Sequence, residues 1–352
     1  MSQRFTRTCF ALAAALAIVS LAAPQAAAQT ELQAPADWTP PRTPWGDPDL
    51  QAIWNNATIT PLERPAELAD QAFFTADEVA ARERQAQNRV DQQNAPSAVR
   101  TEPLPVGGNV GAYNSYWTEQ STSIVRTMRT SLISDPIDGR LPELTPQALA
   151  RITSPASVRL ADVQEGRIPA DGPEEMGLSE RCLWYRGIPT FPTGYNNNYH
   201  FFQTPDFVLI LQEHIHDLRV VYLDGRPHLP PGIRQFAGSS RGYWEGDTLV
   251  IETTNLREPF IRRWSRPEHS LSRGRLSESA VVTERFTRVG PDLLDYRFTV
   301  DDPETWTRPW SGALPYTRND QPMFEFACHE GNYGMMNIMT GSRAEEAAAE
   351  GR

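Results

Sequence analysis

The 352-residue chain contains no lysine. That absence excludes lysine Schiff-base chemistry, anchoring of pyridoxal phosphate and the phosphate-cradling P-loop, each of which needs an amine at a defined place. Cysteine is scarce, three residues in all, and no CxxC pair, dinucleotide GxGxxG or zincin HExxH occurs, so the chain carries no recognised cofactor signature. After residue 23 no apolar run approaches eighteen residues, which argues against an integral membrane segment. Positive charge is also in deficit. A net charge of −11 argues against nucleic acid or an anionic membrane as a partner. Hydrophobic residues make up only 39%, with 30 prolines and 22 glycines, a composition of turns and long surface connections rather than of a helical bundle.

What the chain does have begins with a leader. Arg4 and Arg7 precede an apolar stretch at 10–23 (FALAAALAIVSLAA), and Ala26, Ala27 and Ala28 form a small-residue cleavage site before Gln29. The expectation is a signal peptide over 1–28 and a periplasmic or secreted protein, remote from ATP, NAD and the reducing cytosol. Cys9 leaves with the leader. Cys182 and Cys328 remain, and two cysteines in an oxidising compartment most simply form one disulfide, with a catalytic thiol as the competing reading.

Residues 29–180 read as an irregular, partly helical arm with a first strand near 49–56. Within it, Thr75 as N-cap, Glu78 as capping-box partner and Phe74 stapled to Val79 start a helix running to Gln93. Thr145 and Pro146 start a second, with Leu144 placed against Leu149. Residues 94–112 and 153–181 look loop-like. From about 181 to 340 the texture is that of strands: 207–214 (FVLILQEH), 218–223, 248–255, and two around Gly290-Pro291-Asp292. In the last, Leu294, Tyr296, Phe298 and Val300 alternate with Leu293, Asp295, Arg297 and Thr299. Short turns without interposed helices imply an antiparallel meander, closed as a β-barrel or paired as a barrel-like sandwich to protect its edges. Residues 341–352 read as a flexible tail.

The densest polar constellation is Glu213-His214-Ile215-His216-Asp217. If the strand continues through it, His214 and His216 share one face and Glu213, Asp217 and Arg219 the other. Such imidazoles can act as general bases oriented by a carboxylate, or share a divalent metal; if the five residues form a hairpin tip they are a solvated turn. His329, beside Cys328, would be fixed near Cys182 by the bridge. His200 follows Tyr195, Asn196, Asn197 and Asn198, a run able to grip a polar ligand or simply to turn. Gly238-Ser239-Ser240-Arg241-Gly242 matches GxSxG, but a loop precedes it and a strand follows, the wrong context for a nucleophile elbow. Arg241 near Trp244 and Glu245 can bind a carboxylate or form an ordinary ion pair. Trp306, Trp310 and Tyr316 form an aromatic patch for a ligand or for sheet packing.

Taken together, Pro48-Asp49-Leu50, Trp54, Leu223 to His228 (LDGRPH), Ser240-Arg241-Gly242, Trp244 to Leu249 (WEGDTL), Asp302-Pro303, Pro309-Trp310 and Cys328 to Asn332 (CHEGN) resemble a broad family of uncharacterised exported bacterial proteins. The likeness spans nearly all of the chain after its leader. It implies a lipocalin-like barrel, to which the GxW-like Ala52-Ile53-Trp54 adds, and an Asp where this chain has Ser239. No catalytic role comes with it. The expected function is therefore drawn from the residues: an organic-cofactor-independent enzyme performing elimination, hydration, isomerisation or hydrolysis on a hydrophobic or aromatic small molecule. His214 or His216 would move the proton, Asp217 or Glu213 orient it, and Arg241 steady negative charge. Tyr195, Asn197, His200, Arg219, Trp244, Trp306, Trp310 and His329 would contact substrate. The rival readings are a carrier of apolar ligands and an envelope carbohydrate-binding module.

Overall fold

The computed structural model describes residues 32, 34–95, 120–185, 187–257 and 276–351. The expected leader and its cleavage site at Ala28/Gln29 lie outside the described residues, as does most of the loop-like stretch expected at 94–112.

Alternation of apolar and polar side chains makes most of the structure β. The strands are β1 (Ala52–Asn55), β2 (Ile133–Asp135), β3 (Asn198–Gln203), β4 (Phe207–Gln212), β5 (Leu218–Tyr222) and β6 (Ser239–Glu245). They continue with β7 (Thr248–Thr254), β8 (Val281–Arg288), β9 (Leu293–Asp301), β10 (Trp310–Ala313) and β11 (Tyr316–Asn319). Nine of them close a barrel in the order β11, β1, β3, β4, β5, β6, β7, β8, β9, sealed where Tyr316 pairs with Leu294 and Thr317 with Leu293. The far half of β9 pairs instead with β10, and β10 with β2, so two short strands extend the sheet beyond the closure. Closure removes most free sheet edges.

The expected barrel is therefore present, with one correction to its topology. All pairs are antiparallel except β5 and β6, which run parallel with Val221 opposite Ser240 and Tyr222 opposite Arg241. The connection between them, residues 223–238, is long enough to cross back along the barrel, where a tight hairpin is not. Gly242 lets this pair approach: a Cβ there would sit 2.7 Å from Val221 Cγ1. Gly238, the first glycine of the GxSxG match, adopts φ +64 and its Cβ would lie 2.5 Å from the Thr254 carbonyl oxygen. Replacing Gly238 with alanine is expected to cost roughly 2–4 kcal/mol in urea unfolding, from left-handed backbone strain plus overpacking. A loss below about 0.5 kcal/mol would refute that account of the glycine.

The barrel interior is packed with side chains. Leu294, Tyr296, Phe298 and Val300 all point inward and are buried, as their alternation predicts, and they meet Trp54, Tyr199, Phe201, Phe286 and Tyr316 in one core. Phe286 stacks on Tyr296 at 4.6 Å, and Phe201 and Tyr316 meet Phe286 edge-on.

The arm is part of this structure rather than an appendage. Its β1 is a barrel stave between β11 and β3, where Trp54 is fully buried and donates its indole N–H to the Leu50 carbonyl at 2.8 Å. Helix α1 (Ala76–Asn94) starts as expected, with Thr75 and Glu78 forming a reciprocal capping box and Phe74 and Val79 both in the core cluster. Helix α2 (Pro146–Ile152) is capped by Thr145. A correction follows at 153–181, where Ser154 caps a further helix, α3 (Pro155–Gln164), whose weak apolar stripe hid it. The expected tail is also structured: α4 (Tyr333–Glu350) places Met335, Ile338 and Met339 on a small cluster of Val163, Ala170 and Met176. No described helix is long and apolar enough to cross a membrane. Cys182 and Cys328 form the expected disulfide, Cα to Cα 5.6 Å, which ties the segment before β3 to the segment after β11.

Candidate functional site

The polar constellation lies in the connection from β4 to β5, and its conformation settles which side chains meet. The strand does not run through it. β4 stops at Gln212, and Ile215 and His216 take φ values of 56 and 45, a left-handed turn no strand can continue. Such a backbone is unusual for a β-branched residue and costs about 1–3 kcal/mol, a kind of strain that collects at functional sites. The turn is closed by the Gln212 N–H donating to the Asp217 carbonyl at 2.9 Å and the Glu213 N–H to the Asn198 carbonyl at 3.0 Å.

As a result the two histidines part. His214 is fully buried and His216 is exposed, so the shared face expected of a strand is not formed. The His214 ring stacks on Tyr185 at 4.0 Å with a 4° interplanar angle and touches Tyr195 at 5.1 Å and Phe326 at 4.9 Å. Its Nδ1 lies 3.1 Å from the Asn196 carbonyl. Because that oxygen can only accept, Nδ1 carries the proton. Glu213 is buried beside it and accepts from Asn198 Nδ2 at 2.9 Å. Asn198 Oδ1 in turn receives Asn55 and Asn319, each at 2.9 Å, binding β1, β3 and β11 to the turn. Asn197 folds its side chain onto Thr193, accepting from the N–H and donating to the carbonyl at 2.9 Å each. The asparagine run thus builds this end of the barrel.

Asp217 ends differently. Half-buried, it accepts from Gln212 Nε2 at 3.0 Å, and burial pushes its carboxyl up to about 7, against the lowering effects of that bond and of His216. It lines a cavity of about 20 Å³, the size of one water molecule, whose walls include Trp184, Ile188, Tyr199 and Ile210. Arg219 belongs to the same wall, whose exposed lining is almost wholly apolar. Its side chain is held from within the barrel: Nε donates to Ser240 Oγ at 2.9 Å, and Nη2 to Thr253 Oγ1 at 2.7 Å and to Glu284. Glu284 is fully buried and also accepts from the Tyr296 hydroxyl at 2.8 Å. Burial, reinforced by the Glu284 charge, keeps Tyr296 protonated well above its ordinary range. This interior network fixes Arg219 in one orientation.

The other expected contacts are dispersed. Arg241 lies on the outer face, donating from Nε to the Pro227 carbonyl at 2.9 Å and from Nη1 to that of Ser240 at 2.8 Å, beside the Tyr222 ring. Since Arg241 pairs with Tyr222, it stands five residues, about 16 Å, along β5 from Asp217. Trp306 and Trp310 are each 3% exposed and pack edge-on at 5.5 Å, so they form core and not an open aromatic shelf. Trp244 packs at the rim of the core. His200 sits on the outer face of β3 against Phe202, where burial lowers its pKa, and His329 is exposed.

Sequence reasoning missed Trp184, Ile188, Thr190 and Gln212 as neighbours of Asp217, since the first three come from an irregular segment with no pattern to read. It also missed His228, whose Nδ1 lies 3.3 Å from Ser239 Oγ and whose Nε2 lies 3.0 Å from Glu252 Oε1. The LDGRPH motif was the available signal. Among the described residues no group of three or more His, Cys, Asp and Glu side chains is placed to hold a metal ion. Comparison with family models, curated proteins and solved structures yields no match.

Proposed function

We propose that the protein is an acid–base catalyst acting on a hydrophobic or aromatic small molecule at the end of the barrel, with Asp217 moving the proton and Arg219 steadying negative charge. The observation that carries this reading is that Asp217 and Arg219 line one cavity with aromatic and aliphatic walls. A carboxyl with a pKa of about 7 is matched to proton transfer at neutral pH, and a guanidinium already fixed by Glu284, Ser240 and Thr253 needs no reorganisation as charge develops. The roles expected for His214 and Arg241 pass to Asp217 and Arg219, because His214 is enclosed by aromatic rings and Arg241 is remote. A cavity of this size takes one water molecule, placed to attack a substrate bound at its mouth, which favours hydration or hydrolysis among the expected reactions. The filled barrel interior gives no support to the carrier reading. The setting is extracytoplasmic, a reading that the disulfide supports.

The test is a turnover screen of neutral and anionic aromatic substrates with wild-type protein and Asp217→Asn. The variant is expected to lose about 10²–10⁴-fold in rate. The wild-type profile should inflect near pH 7, where Asp217 titrates. A folded D217N protein with undiminished turnover, or a profile flat through neutrality, would sink the assignment.

The same carboxyl links stability to pH. Its folded pKa of about 7 stands above the ordinary 3.8, so the folded state holds the proton more tightly. This contribution is complete below about pH 4 and is lost as pH rises through 7. Allowing for solvent screening of a half-exposed group, the loss is on the order of 1–2 kcal/mol. Urea unfolding at pH 5 and pH 8.5 should show this decline in the wild type and a shallower one in D217N. Equal slopes in the two proteins would contradict it.

A further inference from the structure

We propose that Ser239, His228 and Glu252 form a second catalytic site, a serine-based acyl-transfer triad on the outer face of the barrel that takes small carboxylic esters. The GxSxG match places two serines side by side, and the strand period sends them to opposite faces. Ser240 points into the barrel, where its hydroxyl is committed to Arg219 and lies 3.0 Å from Thr253 Oγ1. Ser239 points outward, beneath the connection that carries His228. Glu252 of β7 pairs with Arg241 of β6, so Ser239, Arg241 and Glu252 share that outer face.

The histidine bridges the other two groups, Nδ1 at 3.3 Å from Ser239 Oγ and Nε2 at 3.0 Å from Glu252 Oε1. A carboxylate can only accept, so Nε2 carries the proton and Nδ1 is left as the base toward the hydroxyl. Serine, base and orienting acid are thus in the chain of roles that defines a triad, which is recognised by geometry and not by order in the sequence. The Leu229 N–H, donating to Ser239 Oγ at 3.3 Å, holds the hydroxyl in place. Ser239 is itself only 4% exposed beneath that connection, and solvent reaches the group from the other end, where the His228 side chain is 23% exposed and that of Glu252 50%. Arg241 stands two residues along from Ser239 on the same outer face, its guanidinium held by the Pro227 and Ser240 carbonyls.

In the acylation step, Ser239 Oγ bonds to the ester carbonyl carbon while its proton passes to His228 Nδ1. Collapse of the tetrahedral intermediate breaks the bond to the leaving alkoxide, which departs with that proton. Water then attacks the acyl carbon, gives a proton to Nδ1, and releases the acid as Ser239 recovers its hydrogen. Ester and water become acid and alcohol, with no oxidant or reductant required.

The experiment is active-site labelling of the native full chain with an alkyl fluorophosphonate, in which the Ser239 oxygen bonds to phosphorus as fluoride leaves, followed by peptide mass spectrometry. One adduct is expected, on the peptide carrying Ser239, absent from heat-denatured protein and from Ser239→Ala. His228→Gln should slow labelling by at least about 100-fold, and Glu252→Gln by at least about tenfold. Because both side chains reach solvent, these variants keep the test sharp if S239A fails to fold, and near-ultraviolet circular dichroism checks each one. No adduct on the wild type, an adduct on another residue, or labelling indifferent to H228Q would overturn the proposal.

Discussion

Replacing Glu284 with glutamine is expected to lower the free energy of unfolding by about 3–5 kcal/mol at neutral pH, the cost of leaving one charge of a buried pair uncompensated. Glu284 is fully buried, and Arg219, 8% exposed, has no other carboxylate hydrogen-bonded to it among the described residues. With the carboxylate gone, the guanidinium keeps two hydroxyl partners, Ser240 and Thr253, which accept two of its five hydrogens and do not balance its charge. The companion variant replaces both charges, Arg219→Met with Glu284→Leu, and should recover most of the loss, since the desolvation cost leaves with the pair. Urea denaturation of the two variants decides the matter: a single-variant loss under 1 kcal/mol would mean that Arg219 is not held as described. The double variant separates stability from activity, because on the proposed function it folds yet fails to turn over substrate.

Trp54→Ala should be comparably damaging, with a loss of about 3–5 kcal/mol from cavity creation in the core. Trp54 is fully buried, and it pairs with Tyr199 on one side of β1 and Arg318 on the other, so it knits the arm into the barrel closure. The Arg288 guanidinium lies over its ring at 5.6 Å, and its indole N–H satisfies the buried Leu50 carbonyl. Alanine empties the space and orphans that carbonyl, and the two costs add. Trp54→Phe keeps most of the volume and should lose less. Thermal unfolding followed by near-ultraviolet circular dichroism reads both variants; an alanine variant within 1 kcal/mol of wild type would show that β1 is dispensable to the barrel.

Much of the barrel was legible because its strands obey a period of two with one dry face. Leu294, Tyr296, Phe298 and Val300 are the clearest example, and β4, β5, β7 and β8 follow within a residue or two. β6 was hidden, since Ser239-Ser240-Arg241-Gly242 buries a hydroxyl and a bare backbone where a strand normally buries an apolar side chain. Helix starts were legible at Thr75 and Thr145, where local hydrogen bonds decide the geometry. The disulfide was a matter of counting cysteines.

The candidate site was legible only as a set of residue types. That Glu213 to Asp217 concentrates titratable groups follows from the sequence alone. Which group faces the cavity depends on the left-handed turn at Ile215 and His216, and β-branched Ile215 gives no local sign of such a backbone. Arg219 and Glu284 are 65 residues apart, and no periodicity tells that one charge will neutralise the other inside a closed barrel.

What the sequence by itself determined is therefore what local forces govern, alternation and caps, together with the pairing of Cys182 and Cys328. What the tertiary structure alone decided is which polar groups are withdrawn from water and what they meet there. Burial raised Asp217, buried charge paired Arg219 with Glu284, and the strand face chosen by Ser239 brought it to His228. Each of these depends on solvent exclusion by residues distant in the chain, and desolvation has no expression in a local pattern.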